Sequence, residues 1–157
     1  MIEQIYTYFT IEMIFMWLNI GVLPFWLILI IFPQSQICKV FITSIFPIFI
    51  LSLTYGYLLY LFFNEGYDFI RNFELYLGLD AISNLFADKA FVILFWLHFL
   101  AMNLFCGGWI VKDSQKFGIN KILMSFPLLI TYFIGPIGLT LYWIIRIFYA
   151  KRVNLYE

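Results

Sequence analysis

Charge is what this sequence has least of: 11% of its 157 residues are charged, nine basic balanced by nine acidic. No basic stripe exists that could follow a phosphate backbone, so nucleic-acid binding is excluded as a reading. There is one histidine and there are two cysteines, Cys38 and Cys106. So few soft ligands give no metal-binding spacing and no secreted disulfide framework; no metal site is expected, and both thiols read as ordinary buried groups. No Lys or Arg precedes Lys39, which argues against a cleaved leader and leaves the first apolar segment in the mature chain. Nucleotide-loop, serine-elbow and zinc-protease motifs are missing as well.

What remains is apolar. Hydrophobic residues make up 64% of the chain and the mean hydropathy is +0.96, a composition suited to lipid rather than to a water-facing surface. Spanning the hydrocarbon takes roughly 20 helical residues, and four windows reach that length: about 10–32, 38–63, 90–111 and 124–147. The expected fold is all-α, an integral membrane four-helix bundle forming one domain over residues 1–157. Residues 64–89 interleave Phe69, Ile70, Phe73 and Leu77 with Asp68, Arg71 and Glu74, the pattern of an amphipathic segment lying along the interface. Asp80 is positioned to cap a short helix, Asp88 to cap the third span, and Gly118 to end it. With four crossings both termini share a side. Arg71, Lys89, Arg146, Lys151 and Arg152 then oppose Lys39, Lys112, Lys116 and Lys121, a near balance. The basic pair after the last span tips both termini towards the cytoplasmic side of the cell (inner) membrane.

An ionisable group inside a bilayer must find a partner, which singles out His98. At 100° per residue His98 shares a face with Met102, Phe105 and Trp109, whereas Asn103 points about 140° away together with Trp96 and Gly107. His98 is expected to face the interior as a proton-transfer group; the alternative is a structural hydrogen bond. Asn103 and the Gly107-Gly108 pair equally suit close helix packing. In the fourth window Pro127, Thr131, Gly135, Gly138, Tyr142 and Arg146 recur every three or four residues as a small, polar groove wall. Pro136 cannot bond to Tyr132, so a kink is expected there. The groove reads either as a ligand wall or as a close-packed helix pair. Glu12 is expected at the interface, and Tyr55, Tyr57 and Tyr60 in an aromatic belt.

The run Trp96-Leu97-His98-Phe99-Leu100-Ala101-Met102-Asn103-Leu104-Phe105-Cys106-Gly107-Gly108-Trp109-Ile110 is followed by Asp113, Gly118-Ile119, Pro127 and Gly135-Pro136-Ile137-Gly138-Leu139. Together these resemble the abscisic-acid-deficient-four-like family, which includes a plant plastid protein needed for neoxanthin synthesis. Asn19, Pro24-Phe25-Trp26, Pro33 and Leu85-Phe86-Ala87 extend the likeness over most of the chain. The family pattern carries an aspartate where this chain has Asn103, and asparagine cannot exchange a proton. The resemblance implies isomerisation of an epoxy-carotenoid without any cofactor, with His98 as the catalytic residue and Asp113 as a substitute carboxylate. Trp96, Asn103, Trp109, Thr131, Gly135, Pro136, Gly138 and Tyr142 would line the ligand. Membrane lipid and a carotenoid or other polyene are the expected partners, with a homo-oligomer among the assemblies. The alternatives are a carotenoid- or lipid-binding factor without chemistry, and a purely structural bundle.

Overall fold

The computed structural model describes residues 9–151, 153 and 154, so Arg152 of the charge balance lies outside it. Among these residues every regular element is helical: α1 (Ile11–Ile31), a π-helical turn (Cys38–Ile42), α2 (Phe46–Asn64), a 3₁₀ helix (Phe69–Tyr76), α3 (Leu79–Leu85), α4 (Lys89–Lys116), α5 (Lys121–Phe133) and α6 (Gly135–Ala150). Three of them, α1, α2 and α4, are long and apolar enough to cross a membrane.

The first window became α1 with its limits nearly unchanged. The second starts later than expected. Ser44 Oγ accepts from Phe46 N at 3.1 Å and donates to Phe41 O at 2.6 Å, so a polar turn separates the Cys38–Ile42 segment from α2. In the middle stretch Asp68 accepts from Ile70 N and Asp88 from Ala90 N, the latter as expected of a cap. Asp80 does not cap: α3 begins one residue earlier, after Gly78 at φ 139°, a backbone angle open to glycine. Asp80 instead places its carboxylate in the first turn, where the helix dipole favours it.

Helix α4 is longer than its window, because residues placed in a loop by their polarity are helical. Gln115 Nε2 donates to Pro33 O at 2.8 Å and Ser114 Oγ to Val111 O at 2.8 Å, and such partners sustain a polar last turn. The helix ends as expected, with Gly118 at φ +63° and Ile119 N donating to Ser114 O at 2.9 Å, a left-handed C-terminal cap.

The described residues form two compact units, one built from those up to 21 and from 50–100, the other from 22–49 and from 101 onward. In the first, Lys89 Nζ meets Glu12 Oε1 at 2.8 Å and Trp96 Nε1 donates to Asn19 Oδ1 at 3.1 Å. In the second, a Cβ on Gly107 would meet Trp26 and Leu29, and Gln115 bonds to Pro33. Within each unit the paired positions rise together, so α1 and α4 are parallel.

The fourth window is not one helix. Ile134, at φ −139° and ψ 80°, interrupts it, and the chain doubles back. Met124 Sδ lies 2.6 Å from Ser114 Oγ, while Arg146 Nε lies 2.7 Å from Asp113 Oδ2. In a straight helix those two residues would stand about 33 Å apart, yet they touch consecutive residues of α4. The α5–α6 pair is therefore a helical hairpin with its tip at Ile134-Gly135, and Thr131 lies directly against Gly138. The cause is local. Pro136 falls at the start of α6, where its missing amide is harmless, and Gly135 and Gly138 have no side chain to hold the limbs apart.

Candidate functional site

Of the two polar faces expected along α4, the one carrying Asn103 and Gly107 packs inward and the one carrying His98 does not. His98, Met102 and Phe105 are exposed, whereas Leu97, Leu100, Asn103, Leu104 and Gly107 are buried. The His98 imidazole makes no hydrogen bond among the described residues. The helix turns its leucine stripe and Asn103 inward because burying aliphatic area outweighs burying one imidazole that has no partner. The interior placement expected of His98 is thus corrected.

The other site residues separate into groups. Trp96 lies in the first unit with its indole N–H engaged by Asn19 and its ring against Phe15 and Phe99. The remaining seven lie in the second unit. The predicted stripe is real: Pro127, Thr131, Gly135, Gly138, Tyr142 and Arg146 are all buried. At the hairpin tip Asn103 Oδ1 sits against Gly135, where any Cβ would strike it. Asn103 is 7% exposed, and its Nδ2 is a buried donor without a partner among the described residues. Thr131 Oγ1 is satisfied by Pro127 O at 2.8 Å. Pro136, exposed, opens α6.

At the other end of the hairpin lies a cluster that sequence reasoning named only in pieces. Asp113 Oδ2 accepts from Tyr142 OH and from Arg146 Nε, both at 2.7 Å, and Arg146 Nη1 donates to Asn154 O at 3.0 Å. The Asp113 and Arg146 side chains are 9% and 2% exposed. The guanidinium also lies over Phe117, 4.8 Å from its ring centre, and 5.5 Å from that of Trp143. The available signal was an arginine and a tyrosine at the far end of an apolar window, which require a nearby acid.

Tyr142 in turn positions Trp109, edge to face at 5.7 Å, while Trp143 stacks on the same indole at 5.8 Å. Trp109 forms one wall of a cleft of about 300 Å³ lined mainly by Ile42, Ile45, Pro47, Leu104, Phe105 and Gly108, with Thr43, Ser44 and Lys112 contributing polar edges. Gly108 leaves room here, since a Cβ would meet Ile42 O only at 3.9 Å. The Ile42–Ile48 wall was missed, because it comes from the turn before α2 and the first residues of that helix, where the sequence reads as continuous helix. Chemically the cleft is an apolar slot with a hydrogen-bonding rim, and its tryptophan wall is held by a buried ion pair. No group of three potential metal ligands occurs among the described residues.

Among the described residues every regular element is helical, and three of the helices are long and apolar enough to cross a membrane, which defines the class as a small multi-helix protein compatible with a membrane. The chain is a member of the ABA DEFICIENT 4-like family, whose model matches residues 13–142. No curated protein and no solved structure matches it.

Proposed function

We propose that the protein is a multi-pass membrane protein that binds an oxygenated polyene, a carotenoid or related isoprenoid, in the cleft beside Trp109. The observation that carries this reading is the cleft itself. Its size suits a ring end group with a few attached carbons, its body is aliphatic and aromatic, and Thr43, Ser44 and Lys112 stand where a hydroxyl or epoxide oxygen could be met. Membership in a family tied to neoxanthin synthesis supports the ligand class. Insertion in a bilayer is supported by the apolar outer surface, on which Phe15, Trp17, Ile20 and Leu27 of α1 and Leu53, Tyr60 and Phe63 of α2 are all exposed; a soluble monomer does not display such area.

Isomerase chemistry would need a proton-transfer group at the ligand. Asn103 cannot exchange a proton, Asp113 is occupied by Tyr142 and Arg146, and Lys112 on the rim offers an acid with no base among the cleft's lining residues, so binding is the reading these residues favour. Expression in carotenoid-producing cells, purification in detergent and pigment extraction test it. Wild type and Gly108→Ala should carry an extractable polyene with visible absorbance, whereas Gly108→Leu, which fills the slot, should fold and lose it. A colourless wild type, or full pigment in Gly108→Leu, would overturn the reading.

A further inference from the structure

Resting on the membrane-embedded reading above, we infer that the chain crosses the bilayer three times rather than four. The α5–α6 hairpin re-enters from the same face that receives the end of α4, and that lysine-rich face meets the anionic headgroups of the cytoplasmic leaflet. Length is the first argument. With 13 and 16 residues, α5 and α6 are about 20 and 24 Å long, each short of the hydrocarbon thickness of about 30 Å. Depth is the second. The tip rests against Asn103, which lies midway along the 28 residues of α4. An interrupted backbone at that depth must have its polar groups satisfied by protein: the Ile134 side chain is exposed, but its N–H donates to Ile130 O at 2.7 Å and its carbonyl accepts from Gly138 N at 3.1 Å, and Gly135 and Asn103 are buried. Return is the third: Met124 on the way in and Arg146 on the way out touch Ser114 and Asp113 at the end of α4.

Charge then sets the orientation. Lys112, Lys116 and Lys121 lie at or just after the end of α4, Lys39 lines an open polar cleft with Gln115 and Lys121, and Lys151 follows α6. The one described carboxylate at this end, Asp113, is committed to Arg146. The opposite end holds Arg71 and Lys89 among Glu12, Glu65, Asp68, Glu74, Asp80 and Asp88. Counting Arg146 with the five lysines, six of the described basic residues face two, where four crossings would divide the same eight residues four against four. Basic residues stay on the cytoplasmic side, and anionic lipids of that leaflet attract them. The C-terminus is therefore cytoplasmic and α1 starts on the other side, in place of two termini on one side.

Fluorescent-protein and alkaline-phosphatase fusions at each terminus test this. Alongside them, a membrane-impermeant thiol reagent is applied to Tyr76→Cys and Ile122→Cys in a background with Cys38 and Cys106 replaced by serine, and alkaline extraction serves as the control for insertion. The expected result is a fluorescent C-terminal fusion, an active N-terminal phosphatase, and labelling from outside at position 76 but not at 122. Both termini on one side would overturn the re-entrant hairpin. Opposite termini with an external C-terminus would overturn the charge assignment. Release of the chain by alkali would overturn the membrane reading, and this inference with it.

Discussion

Replacing Asp113 with alanine removes the acceptor that Arg146 Nε and Tyr142 OH share at the mouth of the hairpin. The two charged side chains are 9% and 2% exposed, so solvent screens them little and the surface-pair value of about 0–1 kcal/mol does not apply. Breaking a buried pair strands the other charge and costs about 3–5 kcal/mol. At about 2–4 °C per kcal/mol for a chain of this length, Asp113→Ala should lower the unfolding midpoint in detergent by about 6–20 °C. Arg146→Met should do likewise, with less loss because the cation–π contacts with Phe117 and Trp143 give way to apolar packing. The combined Asp113→Leu/Arg146→Met variant leaves no stranded charge and should recover most of the midpoint. Thermal unfolding followed by size-exclusion fluorescence measures all three. A shift under about 2 °C for Asp113→Ala would refute the reasoning, as would additive losses in the double variant.

Glycine-to-alanine changes should rank by what the new methyl meets. Gly138→Ala, which collides with the Thr131 backbone, should be the most severe, at or above the usual 1–3 kcal/mol of overpacking; Gly107→Ala, facing the Trp26 ring at 2.8 Å, should cost less, and Gly108→Ala almost nothing. Asn103→Leu, equal in heavy atoms, should stabilise the ligand-free protein by about 1–3 kcal/mol in the same melts, because it removes the unpartnered Nδ2; a loss would show that the amide has a partner. Burial, and then the Asp88 carboxylate, raise the Tyr67 phenol above its usual range. The folded state therefore favours the neutral phenol, a contribution intact below the usual tyrosine value of about 10 and lost as pH rises through the raised one. Alkaline melts should show a smaller loss in Tyr67→Phe than in wild type.

Much of the fold could be read from local rules. The limits of α1 follow from an unbroken apolar run, Asp88 caps α4 because its carboxylate precedes two free amides, and Gly118 closes that helix because the chain must turn left-handed there. The buried stripe from Pro127 to Arg146 was visible as periodicity. The hairpin was not, because a hydropathy window weighs residues without regard to direction: a 24-residue window that is apolar on average looks alike whether it runs straight or folds at the middle. The decisive signal was electrostatic. Tyr142 and Arg146 sit where a straight fourth helix would end, but their acid, Asp113, lies at the close of the preceding helix. For His98 the helical wheel correctly separated two faces. Which one turns inward depends on the neighbours each face can bury, and Leu97, Leu100 and Leu104 decided it together with Asn103.

The central claim is that residues 121–150 fold back on themselves. Spin labels at Ile122 and Phe148, both exposed, in a cysteine-free background measure it directly in detergent or bilayers. Packed helices with axes roughly 10 Å apart place the labels within roughly 25 Å, whereas one continuous helix separates those positions by about 39 Å. A single distribution at the short distance is the expected result, and one at the long distance would contradict the account.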